Sequence, residues 1–265
     1  MKHLSNPVKI SLILVLVLIA SCTSQKKLAY LNNLPEKGGE STFTMVIPDY
    51  RLQPRDILYI TIKAMSPEGR IVDYLTTDNR NNVVQLGGEA NGYIYGYDIN
   101  HEGNILLPVL GSIKLAGLTL DEARKTIQQA TDKVFKESIV ECKLLSFKFT
   151  VIGEVKTPGA FVNYNNYLTV LEAVGRAGGA GDYGNRNRVL VIRSTDKGTK
   201  TYRLNLQDKN IITSEAYFIM PNDVIVVEPL KQKIFNLNLP TLSFIVTTTL
   251  SAVTTTLLLI NYFGK

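Results

Sequence analysis

Tryptophan is absent from this sequence, and 265 residues include only two histidines and two cysteines. The formal net charge is +6, yet no block of five or more like charges occurs. With no tryptophan, and no aromatics interleaved with arginine, there is no base-stacking surface. Scattered positives give no phosphate-tracking stripe, so nucleic acid is excluded as a partner. His3 falls in an apolar leader, so a histidine-based catalytic triad would have to use His101. That residue sits in Asn100-His101-Glu102-Gly103, whose residue types read as a turn. Zinc sites need cysteine and histidine clusters that are missing here. No carboxylate pair stands out for glycosidase chemistry. Neither enzyme activity, nor a cofactor, nor a metal is expected.

The scarce cysteines are informative by position. Lys2 and Lys9 precede the apolar run Ile10 to Ala20, as in a secretory signal. That run is too short to favour spanning over cleavage. It ends in Leu18-Ile19-Ala20-Ser21-Cys22, which resembles the lipobox of bacterial lipoproteins. Small residues admit the peptidase, and the Cys22 thiol takes the diacylglyceryl group. An uncleaved anchor with an incidental cysteine is the other reading. Thr23 stands where aspartate would favour the inner membrane, so the outer membrane of a Gram-negative bacterium is expected, with the body in the periplasm. Acylation of Cys22 leaves Cys142 as the one thiol, and no intramolecular disulfide. Ile139 to Leu144 alternates like a strand and puts Cys142 on a face with Val140 and Leu144, a buried structural position.

Residues 23–47 are polar with little periodicity and read as a tether. Two devices then occur twice. Pro54-Arg55-Asp56 and Pro221-Asn222-Asp223 each make a turn that feeds an alternating strand. The middle residue of each turn needs positive φ, which asparagine tolerates and arginine does not favour. Thr119 with Glu122, and Thr169 with Glu172, are capping boxes that open helices. The first helix is expected to run to about Phe135, burying Leu120, Ala123, Ile127, Ala130 and Val134. The second stops at Gly178-Gly179. Duplicate devices imply an α+β fold of two small strand-rich domains, each packed on a capped helix, meeting near residues 145–150. Residues 66–96 read as a surface excursion, partly stranded. Gly179-Ala180-Gly181-Asp182-Tyr183-Gly184 fits GxGxxG, but it follows a helix and leads into a strand. The dinucleotide fingerprint needs the reverse order, so this segment reads as a helix cap and a flexible turn.

Tyr50 to Ile62, Gly103 to Ile113 and Ala116 to Thr119 together resemble the polysaccharide export domain. Val151 to Phe161, Leu168 to Gly179, Val189 to Arg193 and Pro221 to Val227 resemble the soluble-ligand-binding β-grasp domain. The resemblance implies an outer-membrane lipoprotein of the capsule and exopolysaccharide export family. It also implies a homo-oligomeric, octamer-like ring whose C-terminal helices form a porin-like channel. The implied partners are the exported polysaccharide and an inner-membrane polysaccharide co-polymerase or chain-length/kinase protein. Two departures matter. Arg55 replaces the family's glycine, so the first turn is expected to be distorted or shifted. One β-grasp domain stands where the best-known relatives have two, so the body should be shorter.

The tail Thr241 to Phe263 carries no charge but many hydroxyls. As a helix it reaches about 34 Å, enough for a hydrocarbon core near 30 Å. Leu242, Val246, Leu250, Val253, Leu257 and Ile260 form one stripe, assigned to lipid. Ser243, Thr247, Ser251 and Thr254 form another, assigned to a pore or to helix packing. A plain anchor or an aggregating degradation tag is the bland reading. The expected organisation is a signal peptide at 1–21, a lipidated tether at 22–47 and an export domain at 48–147. A β-grasp domain at 148–229 and a membrane-helix segment at 230–265 follow. A ring-shaped export channel competes with a non-pore lipoprotein that holds glycan or a partner, and with an enzyme acting on surface glycan.

Overall fold

The computed structural model describes residues 29–35, 42–75, 96–195 and 198–263. Cys22 and residues 76–95 of the expected excursion lie outside the described residues.

The first half is built around β1 (Ile57–Met65). Its alternation puts Leu58, Ile60, Ile62 and Ala64 into the core, as a half-buried strand requires. β2 (Ile71–Asp73) and β3 (Tyr97–Asp98) pair with opposite ends of one edge, and β6 (Ile139–Leu144) runs along the other, all antiparallel. β4 (Asn104–Leu107) and β5 (Gly111–Lys114) form a separate hairpin that points Ile105, Leu107 and Ile113 into the same core. Helix α1 (Leu120–Thr131) closes this core with Ala123 and Ile127, and Cys142 is buried on β6.

α1 is shorter than its periodicity suggests. The Phe135 N–H still reaches the Thr131 carbonyl at 2.8 Å, so a loose turn follows. Val134, however, is exposed, and Thr131 takes the inward position instead. The cause is Gln128. Its amide nitrogen donates to Asp132 and Ser138, and its oxygen accepts the Val140 N–H, which folds the chain back towards β6.

The second half is a five-stranded mixed sheet in the order β10 (Gly198–Leu204), β9 (Gly184–Thr195), β11 (Val224–Pro229), β7 (Lys148–Gly153), β8 (Gly159–Val162). β11 and β7 are parallel, and the other neighbours are antiparallel. Helix α2 (Val170–Arg176) covers it with Val170, Ala173 and Val174 against Phe149, Val151, Val189, Val191, Ile225 and Val227. Both helices open with complete capping boxes at Thr119 and Thr169. α2 ends where Gly178 and Gly179 adopt φ of 75° and 82° and return their N–H groups to Gly175 and Val174.

Arg55 does not distort its turn. It takes φ 78°, the conformation glycine would supply, and gives its N–H to the Ile99 carbonyl at 2.7 Å. Asp56 holds the turn from within by accepting the Gln53 N–H at 2.8 Å.

Within the stretch read as a tether, residues 29–35 dock on the second half. Leu31 donates its N–H to the Leu206 carbonyl and packs on the second core.

Helix α3 (Lys231–Phe263) is the last element among the described residues. It starts at the head of the expected segment 230–265, ten residues ahead of the uncharged tail Thr241 to Phe263, and bends by 40° at the break after Pro240. Proline lacks the N–H for the helical ladder, and its ring collides with the preceding turn. Among the described residues no single helix is long and apolar enough to cross a membrane. The bent pair Lys231–Pro240 and Ser243–Thr256 passes together on length and composition.

Candidate membrane segment and its seat on the second domain

α3 leaves the second half through a short polar seat. The Leu230 N–H donates to the Tyr183 carbonyl at 2.8 Å. Asn236 Nδ2 donates to Tyr183 Oη at 3.0 Å, and Lys233 pairs with Glu154. Tyr183 belongs to the GxGxxG segment. That segment is a packed corner and not the flexible turn expected. Gly181 donates to the Glu154 carbonyl at 2.9 Å, and a Cβ on Gly184 would lie 2.7 Å from that same oxygen. Glycine is there because the backbone of residue 154 fills the space a side chain would need.

Beyond Pro240 the helix stands clear of both cores. Val246, Leu250 and Val253 are 55 %, 62 % and 54 % exposed, so none of the described residues covers the apolar stripe at these positions. Leu242, Leu257 and Ile260 lie in the same helix. The expected hydroxyl stripe of Ser243, Thr247, Ser251 and Thr254 is also in the helix, and it is only part of the hydroxyl surface. Thr248, Thr249, Thr255 and Thr256 extend it, because the chain carries the triplets Thr247-Thr248-Thr249 and Thr254-Thr255-Thr256 seven residues apart. Three consecutive residues on a helix spread over roughly 200° of its surface. The repeat TTTLSAV followed by TTTLLLI was the available signal.

These hydroxyls are bonded within the helix. Thr247, Thr248, Thr249, Thr254, Thr255 and Thr256 each donate Oγ1–H to the carbonyl four residues earlier, at 2.7–3.0 Å. Ser243 donates to the Pro240 carbonyl at 2.9 Å. Back-bonding of this kind hides each donor from an apolar solvent and leaves an oxygen able to accept. Tyr262 and Phe263 finish the helix, where aromatic rings sit at headgroup level in membrane spans.

The remaining candidates for chemistry stay apart. His101 lies in a tight turn closed by the Gly103 N–H on the Asn100 carbonyl. Among the described residues no three of His, Cys, Asp or Glu gather as metal ligands. Burial pushes the Cys142 thiol up to about 12, the behaviour of a structural cysteine and not of a nucleophile. Asp223 is fully buried against Arg193, with Oδ2 2.7 Å from Nη2. Burial raises its carboxyl, against the pull of that guanidinium. The pair braces a turn, since Asp223 also accepts the Met220 N–H and Arg193 also donates to the Phe218 carbonyl. Sequence reasoning passed over Arg193, Tyr30 and Tyr183, each of which acts through a partner far along the chain.

Residues 45–145 match the model of the polysaccharide biosynthesis/export protein family, and residues 147–227 match the SLBB domain. Together the two matches span about two thirds of the chain. A polysaccharide export outer membrane protein for EPS I, EpsA of Ralstonia solanacearum, is 31 % identical over 153 residues, which are 56 % of this chain and 39 % of that protein. EpsA of Ralstonia nicotianae is 32 % identical over 121 residues, 44 % of this chain and 31 % of that protein. The chain thus spans less than half the length of the curated relatives it matches. The chain belongs to the polysaccharide export family, whose members are transport proteins and not enzymes.

Proposed function

We propose that this protein is an outer-membrane lipoprotein that exports capsular or extracellular polysaccharide through a ring of its own copies. The observation that carries the reading is helix α3. It is uncharged from Ile234 to Phe263, clear of both cores, and its threonine donors are bonded to its own carbonyls. A helix so built is compatible with lipid and still offers oxygens to water or sugar. One helix encloses nothing, so a channel requires oligomerisation, and a closed ring is cyclic. The apolar stripe of Leu242, Val246, Leu250, Val253, Leu257 and Ile260 faces lipid. The stripe of Ser243, Thr247, Ser251 and Thr254 faces the pore or a neighbouring helix.

The parts follow from that reading. Cys22 carries the lipid, residues 48–147 form the export domain, and residues 148–229 form a β-grasp module whose central strands are the parallel pair β7 and β11. Transport then needs no catalysis. Hydroxyl oxygens offer weak, exchangeable contacts to a sliding sugar chain, and tight sites would stall it. An inner-membrane co-polymerase or kinase hands the polymer to the ring.

Cysteine scanning with a membrane-impermeant thiol reagent, in a Cys142→Ser background, tests the reading. Labelling at 243, 247, 251 and 254 but not at 246, 250, 253 and 257 is the expected pattern. Leu250→Asp should block insertion, since a charge facing lipid costs about 3 kcal/mol. Thr247→Asp should be tolerated better. Protection of both stripes would reduce α3 to an anchor and favour a glycan- or partner-binding lipoprotein without a pore.

A further inference from the structure

The N-terminal stretch that reads as a tether is built into the second domain by side-chain chemistry. Tyr30 Oη accepts the Ala180 N–H at 3.1 Å, and the Arg186 guanidinium lies over the Tyr30 ring, 5.3 Å from its centre. Leu31 and Asn32 donate their N–H groups to the carbonyls of Leu206 and Gln207 at 3.0 and 2.8 Å. Asn33 closes the contact from both ends of its amide. Nδ2 donates to Asp208 Oδ1 at 2.9 Å, and Oδ1 accepts the Lys209 N–H at 2.7 Å. The Asp208 carboxyl is held below its ordinary value, first by the Asn210 amide and then by Asn33. It stays ionised at neutral pH and keeps its acceptor.

Ala180 lies in the same packed corner that seats α3. Within that corner Tyr183 receives Leu230 and Asn236, and the Glu154 carbonyl receives Gly181 while its carboxylate pairs with Lys233. The docked N-terminal segment and the outgoing helix therefore converge on residues 179–184, although they are some two hundred residues apart in sequence.

We propose that Tyr30–Asn33 is a latch that fixes the lipid-bearing end of the chain to the corner from which α3 leaves, so that this corner faces the lipid surface. The inference rests on acylation of Cys22, as read above. Tyr30 is eight residue steps from Cys22, and an extended chain covers at most about 3.6 Å per step, so the corner stands within about 29 Å of the lipid. The stretch Lys231–Pro240 has a helical length of about 15 Å, which fits inside that limit. The two membrane attachments then work at one height and hold the domain upright, where a free tether would leave it to pivot on α3 alone.

The test uses the full acylated chain with Cys142→Ser in vesicles of phosphatidylcholine, part of it carrying a headgroup nitroxide. Asn33→Cys with Asp208→Cys should be joined by a short bismaleimide, seen in the intact mass, at least tenfold above the control pair Asn33→Cys with Glu68→Cys. Tyr30→Ala with Leu31→Asp should return that yield to control. A fluorophore on Asp182→Cys should be quenched several-fold more than one on Glu68→Cys. A crosslink no better than control overturns the latch, and equal quenching overturns the membrane-facing corner. Fatty-acid labelling of Cys22 is read separately. An intact crosslink on an unlabelled chain sinks the acylation reading and the lipid part of the proposal, not the docking.

Discussion

The two halves of this molecule contain one small unit twice, in opposite chain order. In the first, the Leu52 N–H donates to the Leu118 carbonyl at 2.9 Å, and in the second the Ile219 N–H donates to the Leu168 carbonyl at 2.7 Å. The next residue after each carbonyl is the capping threonine, Thr119 or Thr169. Four residues after each donor comes the turn aspartate, Asp56 or Asp223. Each accepts the N–H of the residue three before it at 2.8 Å, and each returns its own N–H to that residue's carbonyl at 3.1 Å. The middle residues, Arg55 and Asn222, sit at φ 78° and 67° and pass their N–H groups to Ile99 and Lys148 at 2.7 Å. In the first half the turn precedes its helix, and in the second it follows. The unit is thus defined by pairing in space and not by chain order. The difference lies in what the buried carboxylate meets. Asp56 accepts from the neutral hydroxyls of Tyr50 and Ser146, whereas Asp223 takes Nε and Nη2 of Arg193.

That difference sets the largest predicted effect. Asp223→Ala strands a guanidinium whose side chain is only 11 % exposed, and should cost about 3–5 kcal/mol. Asp56→Ala leaves neutral donors without an acceptor and should cost about 1–3 kcal/mol. Urea unfolding of the detergent-extracted chain measures both. Equal losses would show that the ion pair adds nothing to the shared geometry. Asp223→Leu with Arg193→Met should recover much of the loss, because the desolvation of both charges goes with the pair.

A thiol probe in the first half alone sharpens the comparison. The folded Cys142 thiol stays protonated until about pH 12, while an exposed one ionises near 9.0. The folded state therefore holds the proton more tightly, and stability of this half falls as pH rises from 9 towards 12. At pH 8, alkylation of Cys142 reports opening of its strand. Asp56→Ala should speed it by about tenfold, the equivalent of 1.4 kcal/mol. Asp223→Ala should change it less than twofold. If both variants accelerate it equally, the halves open as one unit.

Much of this unit was legible in the sequence because its signals are local. Thr119 with Glu122, Thr169 with Glu172, and the Pro-x-Asp turns each act over three or four residues, and the fold forms all of them, with Arg55 taking positive φ without the distortion expected. What was not legible depends on distance along the chain. Arg193 meets Asp223 across thirty residues, and Tyr30 meets Ala180 across 150. Nothing local marks either pair, and Tyr30 sits in a polar stretch whose composition matches a tether. The membrane segment falls between these cases. Its apolar spacing was plain, but the hydroxyls beyond one stripe, and the bend at Pro240, change what its faces present.

Caps come next in size. Thr119→Ala and Thr169→Ala should each cost about 0.5–2 kcal/mol, and serine should restore most of it. Thr169 should be the costlier, because its hydroxyl also lies 2.8 Å from Glu172 Oε2, whereas the backbone bridges of Thr169 to Phe218 and of Thr119 to Arg51 are common to both caps. Thermal melts of the two alanine variants rank them. A ranking with Thr119 first would mean that the hydroxyl contact with Glu172 adds nothing to the cap.

The smallest effects come from the middle turn residues, and here the sign should reverse. Both side chains are exposed, so neither contributes packing that glycine would remove. A left-handed backbone costs a branched or long side chain about 1–2 kcal/mol, while asparagine visits it with little strain. Glycine removes that strain but adds freedom to the unfolded chain, which returns about 0.5–1 kcal/mol of the gain. Arg55→Gly should therefore stabilise the first half by about 0.5–1 kcal/mol, and Asn222→Gly should be neutral or slightly destabilising in the second. Arg55→Asn separates the two contributions, since it relieves strain without loosening the unfolded state, and should equal or exceed Arg55→Gly. The Cys142 alkylation rate reads the first pair of variants, and urea unfolding reads all three. If Arg55→Asn gives no gain, the φ of 78° carries no strain, and the hydrogen bonds of Asp56 and Ile99 would then account for the turn by themselves.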